Sequence, residues 1–342
     1  EPVAGGEWRL TRRRAALEVR ARMLQALRLF FVSAGYLEVE TPARIPAPAP
    51  EAHIDAPPSG DWFLQTSPEL CMKRLLAAGY GRIFQIAKCY RDGERGDRHL
   101  PEFTMLEWYR QAGDYRDLMA DCEALLPFVL EALGREAALV YRGERIDLTA
   151  PWERLSVAEA FRRFTPLTPE DALRKACFDE RMALDIEPRL GRERPTFLYD
   201  YPAACAALAR RKGADPALAE RFELYIAGLE LANAFSELTD VAEQRLQRSR
   251  DAVEKRRRAA DFGADDKVDS KFPGCVEVDA RPHELDKRAA GRACRPRRLG
   301  TISVWGPGFG ATSGLVGVGG VGTVGAERSD GASCANLAAW AW

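Results

Sequence analysis

The chain has 342 residues, and 50 Lys+Arg against 51 Asp+Glu leave a formal charge of −1, which excludes a globally basic nucleic-acid binder. With 46% hydrophobic and 30% charged residues it has the composition of a folded globular protein rather than a disordered chain. No stretch reaches the roughly 18 apolar residues of a membrane span, and the eight cysteines contain no CxxC pair, as expected of reduced thiols in a cytoplasmic protein rather than a zinc site.

In chain order, Leu17, Leu24, Leu27 and Phe31 recur at helical steps and predict a helix over 12–34, stopped at Gly35 by a residue free to take positive φ. Residues 37–41 alternate at period two, as a strand does, until Pro42 ends it. The proline-rich stretch 46–58 reads as loop. Ser67-Pro68-Glu69 opens a helix over 67–78 with a capping hydroxyl, a proline and an early acid. Strands are predicted over 82–86 and 103–109, joined by the polar loop 91–99, and an amphipathic helix over 117–133. A mostly helical insert follows at about 150–190. The sheet resumes over 196–201 and 221–240, which gives an α+β fold with an antiparallel sheet flanked by helices. After Ala260 the pattern changes: fourteen of the 28 glycines lie there, with no sustained period.

Three groups of residues carry chemistry. A loop that grips a triphosphate needs guanidinium forks, glycines for close approach and an aromatic ring for the base. Residues 91–103 offer Arg91, Arg95, Arg98, Gly93 and Gly96 and run into Phe103, although a charged hairpin loop is often no more than a solvated turn. Glu223, Glu230 and Glu237 stand seven residues apart, which on a helix would be an acidic stripe. Leu224, Ile226, Leu229 and Leu231 nevertheless alternate with polar neighbours as in strands. A bend at Ala227-Gly228 would return Glu223 toward Glu230. Two such carboxylates repel by about 4 kcal/mol at an effective dielectric of 20, so a hard cation such as Mg²⁺ would fit between them. The third group, Ser67-Pro68-Glu69 with Tyr109, is by itself only a helix start.

Together these motifs resemble the class II aminoacyl-tRNA synthetase core of the lysyl subgroup. Residues 35–42, Gly-Tyr-Leu-Glu-Val-Glu-Thr-Pro, are similar to motif 1 of that family. Residues 84–109, with Tyr90-Arg91 and Arg98-His99-Leu100-Pro101-Glu102-Phe103, are similar to motif 2, and 230–240 to the stretch that precedes motif 3. The resemblance covers residues 10–260, and implies a catalytic domain there without an N-terminal anticodon-binding barrel. Residues 261–342 form a Gly-rich tail in which motif 3 is not recognisable, and its Gly, Ala and Arg content suits an out-of-frame translation of a GC-rich gene. Within the family the chain is most similar to the elongation factor P–lysine ligases.

That resemblance implies ATP- and Mg²⁺-dependent activation of (R)-β-lysine, or lysine, as the adenylate, and transfer to a lysine side chain of elongation factor P by a homodimer that uses no tRNA and no membrane. It implies Arg91 as the catalytic group on the substrate carboxylate and α-phosphate. Phe103, His99, Glu94, Glu230 and Leu231 would contact ATP, and Glu223 and Glu230 the metal. Glu237 and Tyr109 would take the substrate's ε-ammonium and Glu69 its other amine, beside Ser67 and Pro68. The chain departs from the family at Gly93, where glutamate is usual, and mildly at Leu100 and Ala234. A lysyl-tRNA synthetase-like fragment and an inactive binding protein are the other readings of the same residues.

Overall fold

The computed structural model describes residues 13–240 apart from 50, 52, 97, 98 and 207, then 242–247, 249, 253 and the backbone of 299–304. Helix α1 (Arg14–Ser33) leads into β1 (Leu37–Glu38), and β2 (Arg44–Ile45), β3 (Pro58–Ser59) and β4 (Trp62–Leu64) form a small side sheet. Helix α2 (Glu69–Ala77) precedes a long hairpin of β5 (Arg82–Tyr90) and β6 (Glu102–Gln111). Next come α3 (Tyr115–Ala132) and the hairpin of β7 (Ala138–Tyr141) and β8 (Glu144–Asp147). Strand β9 (Glu153–Ser156) opens the expected helical insert, α4 (Val157–Phe164), α5 (Pro169–Arg174) and α6 (Phe178–Arg181). Strands β10 (Thr196–Pro202), β11 (Arg211–Lys212), β12 (Asp215–Ile226), β13 (Leu229–Ser236) and β14 (Leu299–Val304) complete the order.

The central sheet runs β1-β5-β6-β14-β13-β12-β10-β9, with β11 paired to β12. The expected antiparallel sheet is corrected at both edges, where β1 pairs with β5 and β9 with β10 in parallel. Both parallel pairs are joined by crossovers rather than hairpins, one through the side sheet and α2, the other through α4–α6, as parallel pairing demands. The α+β class stands, with a mixed sheet.

Within the Gly-rich segment, residues 299–304 lie in the central sheet: β14 pairs antiparallel with β6 and β13, setting Ile302 opposite Trp108 on one side and Ala234 on the other. It fills the slot between two hairpins whose inner strands would each otherwise present an unpaired edge. The anticipated motif 3 stretch otherwise falls in 261–298 and 305–342, outside the described residues.

Alternation along the strands gives the sheet two unlike faces. Phe84, Leu106, Trp108, Phe222 and Leu224 pack under α1 and α3, where Phe31 stacks on Phe84 at 4.9 Å between ring centroids. The intervening residues Glu107, Tyr109 and Glu223 are buried without joining that cluster and build the other face. At the end of α1, Gly35 takes φ 76° and the Tyr36 N–H returns to the Phe31 carbonyl at 2.9 Å, turning the chain into β1.

The bend expected at Ala227-Gly228 is a two-residue turn with both residues at positive φ, 57° and 72°. That is the mirror-image turn whose twist suits a hairpin. The insert clamps it, since the Ala227 N–H donates to the Gly191 carbonyl at 2.7 Å and the Gly228 N–H to the Leu190 carbonyl at 2.8 Å. Gly191 itself has φ 67°, and a Cβ there would run into the Tyr225 carbonyl and lie 2.7 Å from Ile226 Cα. Gly191→Ala is therefore expected to destabilise the fold by about 2–4 kcal/mol, from positive-φ strain and overpacking. Chemical denaturation checks it, and an unchanged midpoint would show that the insert can move off the hairpin.

Candidate active site

The acidic face of the sheet has two ends. At one end lie α2, β6 and the residue after β13. Lys73 is only 7% exposed, and its Nζ lies 2.5 Å from Glu69 Oε1 and 2.8 Å from Glu237 Oε2. The i,i+4 spacing of Glu69 and Lys73 on one helix face makes the first contact local; the second joins α2 to the far end of the β12–β13 hairpin. Beside them Glu107 is fully buried. It accepts from the Tyr109 hydroxyl at 2.5 Å and the Ser67 hydroxyl at 2.9 Å. Ser67 Oγ also accepts the Glu69 N–H at 2.9 Å, although Pro68 rather than Ser67 takes the N-cap position. Pro68 is buried and its carbonyl accepts the Met72 N–H at 2.9 Å, so it shapes the helix start.

Among the described residues these three carboxyls surround one cation. Burial, then the neighbouring Glu69, push the Glu107 carboxyl up to about 8 against the hydrogen bonds of Tyr109 and Ser67. Burial also pushes Glu237 up to about 7, with Lys73 opposing and Glu69 adding to the rise. Burial alone would lower the Lys73 ammonium, but Glu237 and Glu69 outweigh it and hold it charged. The arrangement is a buried carboxyl cluster that already holds one ammonium and is suited to ammonium groups.

The other end starts where β5 runs into the loop. The Arg91 side chain is 1% exposed, with its guanidinium carbon 5.2 Å from the Phe103 ring centroid and a terminal nitrogen 3.9 Å from Glu94 Oε1. Burial lowers its pKa, while Glu51, Glu94 and Glu230 pull it back, so Arg91 is in electrostatic reach of the hairpin acids. Burial pushes Glu94 up to about 7 against the opposing Arg91. His99 is half-buried and its carbonyl closes the loop by accepting the Gly96 N–H at 3.1 Å. Asp97 and Arg98 lie outside the described residues.

On the hairpin, Glu223 is held by three donors: the Tyr201 and Tyr225 hydroxyls, each 2.6 Å from Oε2, and Arg221 at 2.5 Å from Oε1. The bend brings Glu230 within its field. Burial and then Glu223 hold the Glu230 carboxyl far above the usual range, although Arg221 and Arg91 oppose them. The two acids thus disfavour each other's ionisation in this buried space even with Arg221 on Glu223. Among the described residues no group of three or more His, Cys, Asp and Glu forms a closed metal cage. A pair of carboxylates without such a cage fits Mg²⁺, which is commonly held by one or two carboxylates together with substrate phosphates. The Leu231 side chain packs toward the cluster of Leu130, Ile146 and Ile226, so only its backbone is left for a nucleotide.

The structure thus gathers Ser67, Glu69, Tyr109 and Glu237 at one end, Arg91, Glu94 and Phe103 at the other, and Glu223 with Glu230 beside the latter. Tyr109 is placed against Glu107 rather than as an open ligand. Sequence reasoning missed Glu107, Lys73, Arg221, Tyr201 and Asn233, whose Oδ1 is buried without a hydrogen-bond partner among the described residues. Glu107 was detectable as an acid on the polar side of a strand between Leu106 and Trp108. Lys73 carried no such signal.

Comparison with known proteins matches residues 7–266 to the family of class II tRNA synthetases (D, K and N). The chain is 37% identical over 287 residues to an elongation factor P–(R)-β-lysine ligase of Proteus mirabilis, covering 80% of this chain and 87% of that one. It is 38% identical over 258 residues to the ligase of the same name from Vibrio cholerae, covering 71% and 79%. A lysine–tRNA ligase of Aromatoleum aromaticum is 39% identical over 252 residues, which cover 66% of this chain and 50% of that relative.

Proposed function

The chain belongs to the class II tRNA synthetase family of the D, K and N type, and on that premise we propose that it is a ligase that activates (R)-β-lysine with ATP and transfers it to a lysine side chain of elongation factor P. The observation that carries this reading is the pairing of a buried ammonium pocket, Glu69, Glu107 and Glu237, with an arginine and a carboxylate pair set for a metal-bound triphosphate. Relatives with the elongation factor P ligase name are matched over most of their length, which supports the protein acceptor. The near-neutral charge fits a protein acceptor better than tRNA. No helix among the described residues is long and apolar enough to cross a membrane, in keeping with action in the cytoplasm, and the family's motif 1 region suggests a homodimer.

The chemistry runs in two steps. Glu69, Glu107 and Glu237 neutralise the substrate's two ammonium groups and fix its carboxylate toward Arg91. Arg91 holds that carboxylate and the α-phosphate together, converting encounter into an in-line approach and offsetting charge in the transition state. A carboxylate oxygen bonds to the α-phosphorus, the bond to the β-phosphate breaks, and pyrophosphate leaves. Phe103 stacks on the adenine, with Glu94, His99 and the backbone of Leu231 around the nucleotide. Glu230 and Glu223 would hold Mg²⁺, which when bound supplies positive charge to the phosphates. In the second step the unprotonated amine of the acceptor lysine attacks the acyl carbon, AMP departs, and the amine's proton passes to solvent. An uncharged analogue would leave the buried acids unpaired, which is the source of lysine selectivity.

ATP–pyrophosphate exchange tests the reading. Exchange dependent on (R)-β-lysine is expected, and exchange that proceeds equally with neutral amino acids would overturn it. The pH dependence has a definite sign. Glu237 and Glu107, pushed by burial up to about 7 and 8, must be ionised to pair with ammonium. At saturating ATP, kcat/KM for the amino acid should rise about tenfold or more from pH 6 to 8. A flat or falling profile would contradict the assignment.

A further inference from the structure

Glu69 and Glu237 come from distant parts of the chain, the first turn of α2 and the residue after β13, yet the same ammonium touches both. Lys73 reaches them from the second turn of α2, with its Nζ 5.3 Å from the Phe235 ring centroid. Among the described residues, Glu107 and the Tyr109 hydroxyl from β6 also face this cluster. Burying an ammonium is costly unless its partners repay it, and the apolar neighbours Met72 and Leu76 show that this helix buries hydrophobic residues elsewhere. A position that needed only bulk would not require a charge.

We propose that Lys73 is a positioning residue for the amine end of the site: it bridges Glu69 and Glu237, holding them side by side as anions so that the substrate's ammonium groups meet a preset carboxylate pair. This rests on the reading of that pocket as the lysine-type amine site. Without the bridge, two carboxylates from separate elements would repel in a poorly solvated space, and one would take up a proton. A protonated carboxyl cannot neutralise an ammonium. With the bridge, Glu69 and Glu237 share one cation, and Glu107 adds negative charge for the substrate where it ionises. Lys73 itself does not contact the reacting atoms, so its effect falls on amino-acid binding and its pH dependence rather than on ATP.

The test is Lys73→Met in the full chain, assayed by exchange with (R)-β-lysine. The KM for the amino acid should rise about tenfold at pH 7, and the pH profile of kcat/KM should move about one unit alkaline. The KM for ATP should stay within about twofold of wild type at each pH, and Lys73→Arg, which keeps the charge, should return the profile toward wild type. An unchanged amino-acid KM and profile, or an equal loss on ATP, overturns the proposal. Infrared difference spectra give a readout without substrate: at pH 7 the Met variant should gain a protonated-carboxyl band over wild type, and no gain overturns the bridge. Should the Met variant fail to fold, Lys73→Gln takes its place, and failure of both assigns Lys73 to stability instead. A wild-type protein with no lysine-dependent exchange counts against the proposed function alone, because the infrared measurement still decides the role of Lys73.

Discussion

Arg91→Ala is expected to slow lysine-dependent ATP–pyrophosphate exchange by about a thousandfold at saturating substrates, with the fold intact. Arg91 is buried at the mouth of the loop, against Phe103 and within the field of Glu230. Its guanidinium can fork between a carboxylate and a phosphate, contacts that strengthen as charge builds on the bridging oxygens. Removing one such preorganised donor typically costs about 3–4 kcal/mol of transition-state stabilisation, which is about a hundred- to a thousandfold in rate. Arg91→Lys should recover only part of this, because an ammonium lacks the planar fork. Single-turnover adenylate formation measures it directly. A loss confined to KM for ATP would show that Arg91 merely binds nucleotide.

The second large effect is at the other end. Glu237→Gln is expected to raise the KM for (R)-β-lysine by about a hundredfold while kcat for exchange changes much less. The carboxylate is buried, 2.8 Å from Lys73. Leaving a buried charge without its partner costs about 3–5 kcal/mol, part of which Lys73 recovers from Glu69. The split between KM and kcat is the decisive readout, since Glu237 lies with the amine groups and not with the reacting carboxylate. A much smaller preference of the Gln variant for lysine over an uncharged analogue is also expected, and a variant that retains full lysine preference would remove Glu237 from the site.

Much of this site could be read from local pattern. Period-two alternation around Glu223 and Glu230 distinguished strands from an acidic helix, and Ala227-Gly228 marked the bend that sets the two acids in one field. Ser67-Pro68-Glu69 opens the helix as its tripeptide suggested, with Pro68 at the N-cap and the Ser67 hydroxyl accepting the Glu69 N–H. Lys73 and Tyr201 escaped notice because their contacts join distant segments. Lys73 reads as an ordinary helix lysine beside Arg74, and only the end of β13 makes it a buried bridge. Tyr201 looks like a strand residue of no special kind until the β10–β12 pairing brings it to Glu223, and Arg221, two residues before Glu223 on the same strand, reads as an ordinary strand arginine. Strand β14 was hidden because six residues in a Gly-rich setting have weak strand character. Its place is defined by the two edges it joins, and those belong to hairpins more than 60 residues upstream. The parallel edge pairs were missed for the same reason: crossovers are properties of topology, not of local period.

The most direct test of the account is the mass of elongation factor P after incubation with this protein, ATP, Mg²⁺ and (R)-β-lysine. The account predicts addition of a β-lysyl group to an elongation factor P lysine, dependent on ATP and abolished by Arg91→Ala. Unmodified elongation factor P, with lysine tRNA charged in its place under the same conditions, would contradict it.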